Sequence, residues 1–363
     1  MLRKGSRPMK YNVIVTDFFP REEREWWKTQ APPELEVYFA DNLEDNELRK
    51  LAKNAKALIV KKRELCQDLV DAMGSLQLIL KFGHWPIGID LDACQKAGIT
   101  VATKPLLGEI SVAEHTILLI LACCRSLTNG HQPVIAGNYR ALGLKPRKTS
   151  EKDISPNWMK LDVTEVYGKA LGIIGFGEIG GEVAIRARSF GMRVIYYKRH
   201  PLPSYWEEEL EVKYTKLSRL LRESDFVSLH VPHTEETQNM MGKKEFGLMK
   251  NSAYLINVAR GGVVNENALL WALKNGEIKG AGLDVFVEEP IPHNHPLLGL
   301  NNVVFTPHTG GGSGQGLKVQ AREALMDVHK FLKGEKTLHN LTIYEGKQRS
   351  SSAIRKSGGA MKL

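Results

Sequence analysis

The sequence predicts an α/β protein whose strands run parallel, and three observations carry that reading. Short runs rich in Val, Ile and Leu alternate with amphipathic segments along most of the 363 residues. One run, 170–174, passes directly into the glycine turn Gly175-Phe176-Gly177-Glu178-Ile179-Gly180 and then into a helical pattern. The length accommodates two domains, and 42% hydrophobic with 25% charged residues is the balance of a globular chain.

In the first half, strands are expected at 11–18, 36–40, 57–60, 76–82 and 100–103, with helical segments such as 43–52 and 67–73 between them. Strands separated by helices are joined by crossovers, which is the parallel arrangement. Residues 111–125 read as a strong helix, with Ser111 as N-cap and Glu114 at the capping-box spacing. Its surface is apolar over most faces, so burial between layers or subunits is expected. Its unbroken apolar run, Thr116 to Cys124, is about half of the ~20 residues that cross a membrane. Residues 139–165 hold Pro146, Pro156 and many charges without periodicity, and read as a long surface loop. A second series follows, with strands at 170–174, 193–197, 226–231, 253–258, 280–286 and 303–306, and helices at 179–190 and 316–332. The run Gly310-Gly311-Gly312-Ser313-Gly314 reads as a hinge or turn.

The net charge of +9 suggests nucleic acid at first sight. Most of it lies at the ends: residues 1–10 and 344–363 form two basic tails around a nearly neutral body. That distribution is not a phosphate-binding face, so a nucleic-acid partner is not expected. The tails read as disordered. No apolar signal region follows the N-terminal basic residues, so a cytoplasmic location is expected. The four cysteines, Cys66, Cys94, Cys123 and Cys124, form no Cys-x-x-Cys pair and no zinc spacing with histidine, so no metal is expected.

The glycine turn carries the first chemistry. Gly175 permits a tight turn, Gly177 lets a pyrophosphate approach the backbone, and Gly180 lets the helix lie close to the strand. The helix start offers N–H groups and partial positive charge to phosphates. The whole turn, Gly175, Phe176, Gly177, Glu178, Ile179 and Gly180, is therefore a candidate dinucleotide site. The next strand ends in Lys198-Arg199-His200, where an NAD site carries a carboxylate for the ribose. Cations there suit a 2′-phosphate, so NADP(H) is favoured over NAD(H).

Three further strand ends carry an Arg, a Glu and a His: Ile256-Asn257-Val258-Ala259-Arg260-Gly261-Gly262, Gly282-Leu283-Asp284-Val285-Phe286-Val287-Glu288-Glu289-Pro290, and Val304-Phe305-Thr306-Pro307-His308-Thr309-Gly310. Ligands bind at this edge of open α/β sheets. A guanidinium fixes the carboxylate and carbonyl of a keto acid. A histidine exchanges the proton that follows hydride addition, and a carboxylate on its far nitrogen sets the tautomer.

With these segments, Ser111-Val112-Ala113-Glu114-His115 and Ser228-Leu229-His230-Val231-Pro232, the chain resembles the D-isomer-specific 2-hydroxyacid dehydrogenases over residues 12–331. The resemblance implies Arg260 as the substrate-binding arginine, His308 as the acid/base and Glu289 as its partner. It adds His230, Val231, Pro232, Val258, Ala259 and Asp284 to the cofactor set. It implies a Rossmann-type domain, 109–310, inserted into a smaller flavodoxin-like substrate domain, 11–108 with 311–343. The active site would lie in the cleft between them. It further implies a homodimer with the 111–125 helix near the subunit contact, and a small 2-keto or 2-hydroxy acid as substrate, of the glyoxylate or hydroxypyruvate type.

One loop departs from the family pattern Gly-x-Gly-x-Asp. In Lys81-Phe82-Gly83-His84-Trp85-Pro86-Ile87-Gly88-Ile89-Asp90, Trp85 replaces the second glycine and Ile87 the acid. The N–H groups of His84 and Trp85 remain to capture a carboxylate, while Pro86 lacks one. The Trp85 ring either narrows the pocket or packs away from it. Lys61 matches a substrate-facing position. If it meets a phosphate, a D-3-phosphoglycerate-type dehydrogenase is the alternative. A dinucleotide-sensing corepressor-like protein is a second alternative of a different class.

Overall fold

The computed structural model describes residues 10–17, 19–41, 43–145, 157–312, 316–335 and 342–344. The expectations for Phe18, for 146–156, for Ser313-Gly314 and for almost all of both basic tails fall outside these residues. The chain forms two compact units, Met1–Leu107 with Gln315–Leu363, and Gly108–Gly314.

The first unit begins with β1 (Tyr11–Val15), α1 (Arg21–Gln30), β2 (Leu35–Phe39), α2 (Asp45–Ala52), β3 (Ala55–Val60), α3 (Gln67–Asp71), β4 (Leu78–Phe82), α4 (Leu91–Lys96) and β5 (Thr100–Lys104). These strands pair in parallel in the order β2-β1-β3-β4-β5. That is the flavodoxin-like order. Adjacent residues point to opposite faces, and each face has its own core. Ile14, Leu58, Ile79 and Val101 pack with Leu48 of α2, Leu69 of α3 and Cys94 of α4. Val13, Val15, Ile59 and Leu80 pack on the other face with Trp27 of α1. A sheet covered on both sides explains why its strands read as continuous apolar runs.

The second unit contains α5 (Leu107–Cys124), α6 (Leu127–Ile135), β6 (Ala170–Ile174), α7 (Glu178–Ser189), β7 (Arg193–Tyr197), α8 (Ser204–Leu210), β8 (Val212–Tyr214), α9 (Leu217–Glu223), β9 (Phe226–Leu229), α10 (Lys243–Phe246), β10 (Tyr254–Asn257), α11 (Glu266–Asn275), β11 (Gly280–Leu283) and β12 (Val303–Phe305). Its seven strands are all parallel, in the order β8-β7-β6-β9-β10-β11-β12. Numbered from β6, the order is 3-2-1-4-5-6-7, that of a doubly wound dinucleotide-binding sheet with one added strand.

Several expectations are corrected. Helix α5 starts at Leu107, so Ser111 lies inside it and is not its N-cap. Pro105 ends the preceding strand and the helix begins two residues later, with Glu109 in its first turn. By length and composition α5 is apolar enough to span a membrane. In this fold its Ala113, Thr116, Leu119, Ile120 and Cys123 are buried, and Leu119 and Cys123 lie against Gly282 of β11. Residues 139–165 are not wholly irregular: Asn138–Leu142 forms a 3-10 turn, and the Tyr139 ring meets Trp158 edge-on at 5.8 Å. Strands β9 to β12 end earlier than expected. Val258, Asp284 and Thr306 turn out of the sheet into the loops at its C-terminal edge.

The chain then returns to the first unit through α12 (Gly316–Leu332) and β13 (Thr342–Tyr344). Ala321, Ala324, Leu325 and Val328 of α12 complete the core begun by Val13 and Trp27. Buried Lys104 of β5 pairs with Glu323 at 3.0 Å and Asp327 at 3.3 Å, which fixes α12 to the sheet. Strand β13 pairs antiparallel with β5 at the sheet edge, so Tyr344 belongs to a strand and not to the tail.

Candidate active site

The glycine turn joins β6 to α7. Gly175 has φ +94, and a Cβ there would stand 2.7 Å from the His230 carbonyl carbon. Only glycine fits the conformation and the approach together. A Cβ on Gly180 would meet the Gly175 carbonyl oxygen at 2.5 Å, which brings α7 close to the turn. Gly177 has nothing within 4 Å of its Cβ position, so one side of the turn is open. The first-turn N–H groups of α7, from Glu178 through Gly180, have no partners within the helix. The Phe176 ring is buried against Tyr196, centroids 4.5 Å apart, so only its main chain belongs to the open side.

Beside the turn, His230 Nε2 and Ser228 Oγ lie 2.7 Å apart. Burial pushes the His230 imidazole down to about 3, so it is neutral. Its Nδ1 is buried without a hydrogen-bond partner among the described residues. An orphaned donor or acceptor next to an open glycine cradle fits a polar ligand. Val258 and Ala259 are buried at the end of β10. Lys198 follows the last residue of β7 and is half-buried. Arg199 is 77% exposed and pairs with equally exposed Glu236 at 3.1 Å.

The three strand ends lie side by side, because β10, β11 and β12 are neighbours. Arg260 is exposed on the loop after β10, and its carbonyl accepts from Asn257 Nδ2 at 3.1 Å. Gly261 follows, and a Cβ there would sit 1.9 Å from the Phe286 carbonyl carbon. Contact of these backbones sets the Arg260 loop against the loop that carries Glu289. Glu289 Oε1 accepts the Phe286 N–H at 3.0 Å, and Oε2 meets His308 Nδ1 at 2.6 Å. Burial alone would raise the Glu289 pKa, but the His308 and Phe286 hydrogen bonds outweigh it and lower it. An ionised carboxylate only accepts, so His308 Nδ1 carries hydrogen and Nε2 is left for chemistry.

Asp284, expected in the cofactor set, has intramolecular partners of its own. It is 1% exposed, and its carboxylate is taken up by Thr306 Oγ1 at 2.6 Å, Thr309 N at 2.9 Å and Gly310 N at 2.9 Å. Its main-chain oxygen accepts the His308 N–H at 2.9 Å. The residue therefore organises the His308 loop. Thr306 and His115 also enter this network, although neither carries a role in the sequence reading. The one signal either offers is its place in a run: His115 closes Ser111-Val112-Ala113-Glu114-His115, and Thr306 precedes Pro307-His308.

Lys61, His84 and Trp85 belong to the other unit. Both faces of the Lys61 backbone are held: its N–H donates to Asp17 Oδ2 at 2.5 Å, and its carbonyl accepts from Lys81 Nζ at 2.6 Å. The Trp85 ring is buried, 3% exposed, and tilts against His84 at 4.9 Å. The His84 carbonyl accepts from Thr103 Oγ1 at 3.2 Å and Tyr344 Oη at 3.4 Å. These hydroxyls fix the peptide plane that carries the Trp85 N–H.

Residues 117–310 match the family described as D-isomer specific 2-hydroxyacid dehydrogenase, NAD binding domain. The chain is 35% identical to a glyoxylate reductase of Korarchaeum cryptofilum, covering 90% of this chain and 94% of that protein. It is 35% identical to a hydroxypyruvate reductase of Thermotoga maritima, over 89% of this chain and 98% of that one. The crystal structure of a glyoxylate reductase from Paecilomyes thermophila aligns with TM-score 0.52 and 27% identity, over 92% of this chain and 98% of that chain. The shared sequence spans nearly the whole length of these proteins, and this chain belongs to the D-isomer specific 2-hydroxyacid dehydrogenases, oxidoreductases that act on CH–OH donors with a nicotinamide cofactor.

Proposed function

We propose that the protein reduces a small 2-keto acid of the glyoxylate or hydroxypyruvate class, with NADP(H) preferred. The observation that carries the reading is the 2.6 Å pairing of Glu289 with His308 at the strand edge that also carries Arg260. The Gly175–Gly180 turn and the start of α7 would hold a nicotinamide dinucleotide, which when bound would supply the hydride. Arg260 binds the substrate carboxylate and orients the carbonyl. As the hydride adds to the carbonyl carbon, its π electrons pass to oxygen, and His308 Nε2 gives that oxygen a proton. Glu289 keeps Nδ1 protonated and stabilises the imidazolium. The N–H groups of His84 and Trp85, with Lys61 nearby in the same unit, are proposed as the second set of substrate contacts.

The preference for NADP(H) rests on Lys198 and Arg199 standing where an NAD site has a carboxylate. The Arg199–Glu236 pair is a surface pair worth roughly 0–1 kcal/mol, so a 2′-phosphate displaces it at small cost. We also propose a homodimer, because Leu118, Leu127, Val134, Ile135 and Leu142 leave apolar side chains exposed on and after α5 and α6. A cytoplasmic location accords with four free thiols.

The test is oxidation of NADPH and NADH with glyoxylate, hydroxypyruvate, pyruvate and phosphohydroxypyruvate. Turnover of the first two, with NADPH ahead of NADH, is expected. Lys198→Asp with Arg199→Ala should shift the ratio toward NADH. His308→Ala should abolish turnover while NADPH still raises the melting temperature. Binding of the dinucleotide with no turnover of any keto acid would overturn the enzyme reading in favour of a sensor.

A further inference from the structure

We propose that His115 is a positioning residue for His308, acting through Thr306 and Asp284; this rests on the acid/base role given to His308 above. Four segments meet here: α5 with His115, the end of β11 with Asp284, the end of β12 with Thr306, and the loop to Gly310. Every residue from Thr306 to Gly310 except Pro307 is bonded to Asp284, by side chain or main chain. Within that loop His308 has φ +55, the left-handed region that a residue with a Cβ enters only when its surroundings hold it there.

The hydrogens in this network can be counted. Asp284 is buried, which by itself raises its pKa, yet the Thr306, Thr309 and Gly310 donors and His115 outweigh burial and lower it. The ionised carboxylate only accepts, so the single Thr306 hydroxyl hydrogen points to Asp284 Oδ1. His115 Nε2 lies 2.9 Å from Thr306 Oγ1 and 3.2 Å from Asp284 Oδ1. With the hydroxyl hydrogen already committed, His115 Nε2 is the donor to both. The ring is also the surface on which the loop rests. A Cβ on Gly310 would meet His115 Cδ2 at 3.6 Å and Asp284 Oδ2 at 2.9 Å.

Removing the His115 donor leaves Asp284 short of one partner and Thr306 Oγ1 without its own. The loop that holds His308 in its left-handed conformation then loosens. Proton delivery to the substrate oxygen slows, while the glycine turn is untouched. A misplacement of about 1 Å at the reacting group costs roughly a hundredfold in rate.

The experiment compares His115→Leu with His115→Gln, and Thr306→Val with Thr306→Ser. The readouts are kcat, KM for the keto acid, NADPH affinity and the solvent deuterium isotope effect on kcat. For the Leu and Val variants kcat should fall roughly ten- to a hundredfold. KM and NADPH affinity should stay within about twofold, and the solvent isotope effect should rise as proton transfer becomes limiting. Gln and Ser restore a donor and a hydroxyl, and should recover most of the rate. Unchanged kcat in His115→Leu overturns the inference, as does a parallel loss of kcat, NADPH affinity and melting temperature. Wild-type turnover that survives His308→Ala overturns the underlying reading instead.

Discussion

Glu289 and His308 lie 19 residues apart in sequence and 2.6 Å apart in the fold. The segments that carry them are readable in the sequence, because each has a distinctive run such as Glu288-Glu289-Pro290 or Thr306-Pro307-His308. The Asp284–Thr306–His115 network was not readable, since its members come from the ends of two strands and from one helix, whose packing no local pattern encodes. The fate of the Trp85 ring was equally closed to the sequence, because an aromatic side chain suits a pocket wall and a buried site alike. At this scale the pairing makes a definite prediction. The Glu289 pKa is depressed, so its charge supports the imidazolium at neutral pH and is lost only as pH falls through that depressed value. Glu289→Gln removes the charge at all pH values. Reductive kcat at neutral pH should fall about 10²-fold or more. The gap to the unaltered protein should narrow only as pH falls through the depressed Glu289 value, where the native carboxylate is itself neutralised. Steady-state rates across pH check both.

Among the elements, long apolar strands and the turn-to-helix junction were legible from period and glycine spacing. Strands β8 and β13, three residues each, were not, because so short a run has no period to detect. Strands β9 to β12 end sooner than their composition suggests, because the chain leaves the sheet without changing composition, and those residues belong to the candidate site. Asp225 ties the start of β6 to the turn that precedes β10, its carboxylate accepting from Ala170 N and Lys250 Nζ, both at 2.8 Å. Burial would raise its pKa, yet these donors lower it. Its stabilisation is therefore full above the unfolded value of about 3.9 and lost as pH falls through the folded value. Asp225→Asn should destabilise the protein at neutral pH and make little difference under strongly acidic conditions, by urea titration at each pH. Gly261→Ala places a methyl 1.9 Å from the Phe286 backbone, where no flexible side chain can yield. A loss of about 3 kcal/mol of stability is expected, with Arg260 displaced; unaltered urea midpoint and KM would contradict it.

For the whole molecule, alternating strands and helices announced two α/β sheets, and the glycine turn located the dinucleotide-binding one. The exposure of Leu118, Leu127, Val134, Ile135 and Leu142 is a feature of surface accessibility and not of sequence, since α5 is apolar over most of its faces and the sequence does not say which of them is covered. If a second copy covers these side chains, Leu118→Asp with Ile135→Asp should convert a dimer to a monomer in sedimentation velocity, while a one-copy mass for the unaltered protein would remove the proposal.

The interleaved order of the two units has a consequence for synthesis. The unit Gly108–Gly314 is one unbroken stretch, whereas the other waits for α12. Until the ribosome has released residues 316–332, the side chains of Val13, Val15, Ile59 and Leu80 lack the cover that Ala321, Ala324, Leu325 and Val328 provide. The part made first is therefore the part finished last, and a chain stalled after β12 presents a sticky sheet face to chaperones rather than a stable half-protein.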